Sequence, residues 1–109
     1  MKLVIAIVQD KDANRLRSEF VKAGIGATRL STTGGFLKSG NTTYMIGIDD
    51  QRVQEVLDLI HKTSRTRQQF MTPPVNIDAQ MDSTSGYPVE VQVGGATVFV
   101  LPIEQFHQF

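Results

Sequence analysis

Leu3-Val4-Ile5-Ala6-Ile7-Val8 runs straight into Gln9-Asp10-Lys11-Asp12. The apolar, β-branched run predicts a first strand over 3–8. Leu3, Ile5 and Ile7 point to one side of it, and Val4, Ala6 and Val8 to the other. Both sides are apolar, so both need cover. A chain of 109 residues makes one domain, 1–109, and its helices can cover only one side of a sheet. The second side requires another subunit, or else a long loop of the same chain.

The sequence that follows supplies the rest of the sheet and its helices. Asp10 or Asp12 is a candidate cap for a helix over 13–23, in which Leu16, Phe20 and Ala23 share a face and Gly24 is the stop. Strands are expected over 27–33 and 42–48, with Gly34-Gly35 breaking the first. Asp49 or Asp50 caps a second helix, whose Val53, Val56, Leu57 and Ile60 fall at i, i+3, i+4 and i+7. Residues 63–86 show little periodicity and contain Pro73-Pro74, so they read as a long, mobile loop. Val89, Val91 and Val93 alternate with Glu90 and Gln92 in a strand over 87–93. Gly94-Gly95 then reads as a hairpin turn into a partner strand over 96–101. The order is β-α-β-β-α-β with an extra hairpin strand, an α+β, ferredoxin-like arrangement with one open sheet face.

Composition narrows the function. Eleven basic residues balance eleven acidic ones, which disfavours a protein that tracks a nucleic-acid polymer or lies on a membrane surface. The absence of Cys excludes disulfides and thiolate metal sites. No apolar run approaches the roughly 20 residues of a membrane span, and residues 3–8 are too few for a signal segment. A cytoplasmic location is the expectation. His61 lies in the last turn of the second helix, where an imidazolium suits the dipole. His107 lies in the tail, and neither histidine neighbours a nucleophile motif. No catalytic residues and no metal site are expected, and the chain reads as a non-enzyme.

The chemistry concentrates in Thr32-Thr33-Gly34-Gly35-Phe36-Leu37-Lys38-Ser39-Gly40-Asn41. It resembles a phosphate-binding loop only superficially. Asn41 stands where the lysine should be, and a strand follows instead of a helix. Gly34-Gly35 allows close approach to the backbone. Phe36 either folds back on the core or forms a stacking platform for a purine, worth roughly 1–3 kcal/mol per base. Asn41 either caps its own turn or offers an amide to a base edge. Gly47 removes a side chain in mid-strand, where a pocket floor could lie. Phe99 reads as a core residue when taken alone.

These blocks carry a family resemblance. Val8-Gln9-Asp10, Thr32-Thr33-Gly34-Gly35-Phe36-Leu37, Gly40-Asn41-Thr42-Thr43, Tyr87-Pro88-Val89-Glu90-Val91, Val93-Gly94-Gly95-Ala96-Thr97-Val98-Phe99-Val100 and Phe106-His107-Gln108-Phe109 resemble the PII-like cyclic-di-AMP receptors over nearly the whole chain. The resemblance implies a non-catalytic homotrimer that binds cyclic-di-AMP at its subunit interfaces. It implies no cofactor, and signalling to an unknown downstream protein through the loop over 63–86. It places Thr28, Gly35, Phe36, Leu37, Asn41, Gly47, Phe99 and Gln108 around the ligand. The alternatives are a PII-type regulator that reads ATP and ADP, or an interaction scaffold with a degraded pocket.

One departure stands out. The family commonly carries Asn-Phe-Arg-x-Thr, where this chain has Gly24-Ile25-Gly26-Ala27-Thr28. The Arg would face the dinucleotide. Arg29 lies on the opposite strand face from Thr28 and does not replace it. Lys22, Lys38, Arg65 and Arg67 are the other candidate cations. Binding with weaker or altered affinity is the expectation. The 71–82 stretch also lacks the Gly-Gly that the family often shows there, so a different downstream partner for that loop is the expectation.

Overall fold

The computed structural model describes residues 1–32, 40–71 and 89–109. Strand β1 (Lys2–Gln9) leads into helix α1 (Asp10–Lys22). Strands β2 (Thr28–Thr32) and β3 (Asn41–Ile48) follow, then helix α2 (Val53–Ser64). Strands β4 (Arg67–Met71), β5 (Val89–Val93) and β6 (Ala96–Pro102) complete the order. The main sheet runs β2-β3-β1-β6, every neighbouring pair antiparallel. This is the ferredoxin-like sheet expected from the sequence, with both helices packed on one face.

The covered face holds the core. Val4, Ala6 and Val8 of β1 and Tyr44, Ile46 and Ile48 of β3 are buried against Ala13, Leu16 and Phe20 of α1 and Val56 and Ile60 of α2. Phe20 meets Tyr44 edge-on, ring centroids 5.8 Å apart. The Tyr44 hydroxyl, buried with the ring, donates to the Ala13 carbonyl at 2.8 Å, so its burial leaves no polar atom stranded. The helical spacings read from the sequence therefore face this sheet.

α1 ends in a Schellman motif. The Gly24 amide donates to the Val21 carbonyl and the Ile25 amide to the Phe20 carbonyl, at 3.1 and 2.9 Å. Gly24 takes φ +69°, a left-handed conformation that costs other residues energy. Ile25 then drops into the core beside Phe20.

Three expectations need correction. Neither Asp10 nor Asp12 caps α1, and neither Asp49 nor Asp50 caps α2, by a side-chain hydrogen bond. Asp10 and Asp12 have distant tertiary partners, and a 3-10 turn, Asp50–Arg52, precedes α2. Second, the loop expected from residue 63 begins later. Thr63 and Ser64 still belong to α2, and β4 follows at once. Residues 72–86 of that loop lie outside the described residues. Third, Gly94-Gly95 does not join a hairpin. β5 pairs with β4 in a separate two-stranded sheet, while β6 pairs with β1. The Gly94 amide donates to Gln9 Oε1 at 2.7 Å and the Gly95 amide to the Ser64 carbonyl at 2.6 Å. Both amides are thus held by β1 and α2 rather than bridging β5 to β6.

Candidate functional site

The strand register decides which candidate residues share a face. Thr28 is opposite Met45, Met45 opposite Ile5, and Ile5 opposite Phe99. These four residues form one row across all four strands, on the face away from the helices. Gly47 lies two residues along β3 from Met45 and is opposite Leu3. Asn41 lies at the other end of β3, opposite Gln9, and is buried. Four of the expected site residues, Thr28, Asn41, Gly47 and Phe99, are therefore brought to one surface by alternation along the strands. Gly35, Phe36 and Leu37 lie outside the described residues.

They do not converge on one point. β2 and β6 are the two edges of the sheet, separated by β3 and β1. Three strand spacings put Thr28 and Phe99 about 14 Å apart within one chain.

Among the described strand residues, this face is also uncharged. By register it carries Thr28 and Leu30 from β2, and Asn41, Thr43, Met45 and Gly47 from β3. β1 adds Leu3, Ile5, Ile7 and Gln9, and β6 adds Thr97, Phe99 and Leu101. Leu30, Met45, Phe99 and Leu101 are each between 37% and 44% exposed, an apolar surface that a lone chain leaves in water.

The tail crosses one end of this face. A side chain at Gly47 would meet the Phe106 ring at 3.8 Å and Ile103 at 4.0 Å. These are ordinary contact distances, so the space in front of Gly47 is bounded, in the single chain, by the chain's own C-terminal segment. Gln108 belongs to the same exposed segment, next to a parallel stack of His107 on Phe109 with centroids 5.8 Å apart.

The two glycines at the end of α1 have different meanings. Gly24 is the left-handed stop of the helix, a position where Asn is the usual substitute. An Asn-to-Gly exchange there keeps the backbone geometry. Gly26 has no positive φ, and a Cβ built on it would meet nothing within 4 Å. Ile25 and Ala27 pack toward the core, so Gly26 is on the same side as Thr28. The position that the family commonly fills with Arg is open space in this chain.

The candidate replacement cations are occupied or elsewhere. Arg67 Nη2 and Nη1 reach the two carboxylate oxygens of Asp12 at 2.7 and 3.4 Å, and the Asp12 side chain is only 3% exposed. Arg29 binds Asn14 Oδ1 at 2.7 Å on the helix side. Arg65 lines a separate cleft of about 490 Å³ with Leu57, Ile60, His61 and Val98, between α2 and β6. Lys22 is 3.9 Å from Glu19 on the outer side of α1, and Lys38 lies outside the described residues.

The sequence did not disclose one cluster beside the site. The Asp10 amide donates to the Gly40 carbonyl at 2.9 Å, and Thr42 Oγ1 donates to Asp10 Oδ1 at 2.6 Å. A side chain on Gly40 would collide with Asp10 Oδ2. The end of the glycine loop is thus pinned to the first residue of α1. The signal available was two aspartates, Asp10 and Asp12, at one helix start, each of which looked like a cap.

Among the described residues, no helix is long and apolar enough to cross a membrane, and no group of three or more His, Cys, Asp or Glu could hold a metal.

The described architecture is that of a PII-like α+β protein whose second sheet face is partly exposed and largely apolar. The model of the cyclic-di-AMP receptor family matches residues 1–109, the whole chain, and the protein belongs to that family. Among solved structures, it is similar to a functionally unknown protein from Pediococcus pentosaceus ATCC 25745. The two are 59% identical, with a TM-score of 0.82, over 99% of this chain and 96% of that one.

Proposed function

We propose that this receptor binds cyclic-di-AMP in clefts between copies of itself, as a homotrimer, without catalysing a reaction. The observation that carries the reading is the placement of Thr28 and Phe99 on one face but at opposite edges of the sheet. A ligand lying flat along that row would be covered on one side only, whereas binding sites bury most of a ligand's surface. If the β6 edge of one copy approaches the β2 edge of the next, Phe99 and Thr28 face each other across a cleft. Contact between two different edges is head-to-tail, and such contacts close into a ring where the rotation between copies permits, as the trimer requires. The apolar open face becomes the inside of that ring, which answers the demand made by β1 in the sequence. Gly35, Phe36 and Leu37 would complete the cleft from the glycine loop, with Asn41 from the start of β3 and Gln108 supplied by the tail.

The same face, uncharged by register, and the open space over Gly26 support weaker or altered affinity rather than loss of binding. They also disfavour a PII-type ATP or ADP sensor, because a triphosphate needs fixed cations. Signalling runs to a downstream protein through the segment between β4 and β5.

Calorimetry with cyclic-di-AMP, cyclic-di-GMP and ATP tests the ligand, and light scattering the assembly. Heat with cyclic-di-AMP alone and a mass near three times 12.1 kDa are expected. No heat with cyclic-di-AMP at high micromolar protein would leave the degraded scaffold as the better reading. A monomer would remove the interface site altogether.

A further inference from the structure

The first turn of α1 holds the end of the glycine stretch and the β4–β5 ribbon. Asp10 faces the glycine loop, taking the Thr42 hydroxyl on Oδ1 and donating its amide to Gly40. Two residues on, Asp12 faces the ribbon made by β4 and β5 and is gripped by Arg67 through both carboxylate oxygens. Between them, Lys11 Nζ donates to Gln69 Oε1 of β4 at 3.3 Å. Just before them, Gln9 Oε1 accepts the amide of Gly94, the residue after β5. Arg67 also donates to the Arg65 carbonyl at 3.1 Å, and Gly94 packs so closely on Arg67 and Arg65 that a side chain there would collide with both. Four consecutive residues, Gln9 to Asp12, therefore join the end of the glycine stretch to β4 and to the residue that follows β5.

This arrangement has the form a mechanical connection needs. The elements are short, charged or hydrogen-bonded, and tightly packed, so a displacement at one end is not absorbed between them. Asp12 and Arg67 form a largely enclosed ion pair, and a pair of that kind has few alternative geometries. The ribbon has only two strands, and a two-stranded sheet is marginal unless something holds it. This turn holds it, together with the Gly95 amide's bond to the Ser64 carbonyl.

We infer that the Gln9–Asp12 turn couples the glycine loop to the β4–β5 ribbon, with Asp12 and Arg67 as the positioning pair that passes a change at the Thr42–Asp10 contact on to the ribbon. The inference rests on the proposed ligand only for the identity of the signal. The coupling itself is a property of the free protein and can be measured there.

The test uses amide hydrogen exchange on the full-length protein without ligand. Thr42→Val removes the hydroxyl that Asp10 holds while keeping the side chain's shape. It is expected to speed exchange of the Gly94, Gly95 and β4–β5 amides by about fivefold or more, the lower end of usual coupling between sites. In an Arg67→Gln background the same Thr42→Val change should leave those amides within about twofold of the Arg67→Gln protein alone, since additivity means no coupling. Should Arg67→Gln loosen the fold by stranding a buried carboxylate, the Asp12→Asn/Arg67→Gln pair provides the uncoupled background instead. Ribbon exchange unchanged by Thr42→Val, or equally accelerated in both backgrounds, overturns the inference. Adding cyclic-di-AMP is a separate arm. Heat of binding with a ribbon response that Arg67→Gln abolishes extends the coupling to the ligand. Absence of heat counts against the proposed ligand and leaves the ligand-free result standing.

Discussion

Gly26→Arg should tighten cyclic-di-AMP binding. The position has no Cβ neighbour within 4 Å and no positive φ, so an Arg enters without strain. It is on Thr28's side of the chain, on the edge that would line the ligand cleft, beside a face that by register carries no charge. A charge-assisted hydrogen bond to phosphate contributes about 1.5–3 kcal/mol. Ordering the Arg side chain takes back part of that, less than its full rotamer entropy of about 2 kcal/mol because the guanidinium is pre-organised. The net is about 1–2 kcal/mol, or about five- to thirtyfold in affinity. Calorimetry on the wild type, Gly26→Arg and Gly26→Gln at low and high salt measures it. The gain should belong to Arg alone and shrink as salt screens the contact. Equal affinity of all three proteins at low salt, with the assembly intact, would refute the placement of position 26 against the ligand.

Gly24→Ala should lower stability by about 1–2 kcal/mol, the cost of a left-handed residue with a Cβ, and Gly24→Asn by clearly less, as read from urea unfolding. Gly40→Ala should cost about 1–3 kcal/mol, because its Cβ displaces the Asp10 carboxylate from Thr42; a midpoint unchanged from wild type would place Asp10 elsewhere. Leu16→Ala should cost about 2–5 kcal/mol as a fully buried core truncation. The hydrogen bond from the Arg52 guanidinium holds the Glu55 carboxyl below its ordinary value of 4.5. A carboxyl lowered on folding contributes stability above its unfolded pKa and loses it as the pH falls through the folded one. Glu55→Gln should therefore flatten the acid side of the stability profile below pH 4.5, and a pH series of melting curves reads it.

The parts of the fold legible in the sequence were those with a strong apolar period. β1 betrayed two apolar faces, and Leu16-Phe20 and Val56-Ile60 marked the helix sides that pack on one of them. β4 was missed because Arg67-Gln68-Gln69-Phe70-Met71 carries no such period, and a ribbon projecting from the core needs none; Phe70 is 71% exposed. The pairing of β5 was misread for a different reason. Gly94 and Gly95 both take positive φ, as a tight hairpin turn would require, so the local signal was real. Their amides are claimed by Gln9 and Ser64, partners 85 and about 30 positions away, which no local pattern can disclose. The same holds for Asp10 and Asp12, whose partners Thr42 and Arg67 are 32 and 55 residues distant. At the candidate site, strand alternation was enough to put Thr28, Gly47 and Phe99 on one face. It could not show that β2 and β6 are opposite edges, because strand order is set by tertiary pairing.

The position of β1 in the sheet also governs how the chain must be made. One neighbour, β3, pairs Lys2 with Ile48, but the other, β6, pairs Lys2 with Pro102. On a ribosome, β1 leaves the exit tunnel well before β6 and keeps one edge unsatisfied until β6 has followed. Its Leu3-Val4-Ile5-Ala6-Ile7-Val8 run is the kind of short, uncharged, β-prone segment that recruits foreign strands. Pairings of such long sequence separation also slow folding, because the loop must close before the contacts form. The central strand that organises the finished sheet is therefore the segment most exposed to misassembly at birth, and slow synthesis or truncation before β6 would be expected to yield aggregates rather than partly folded receptor.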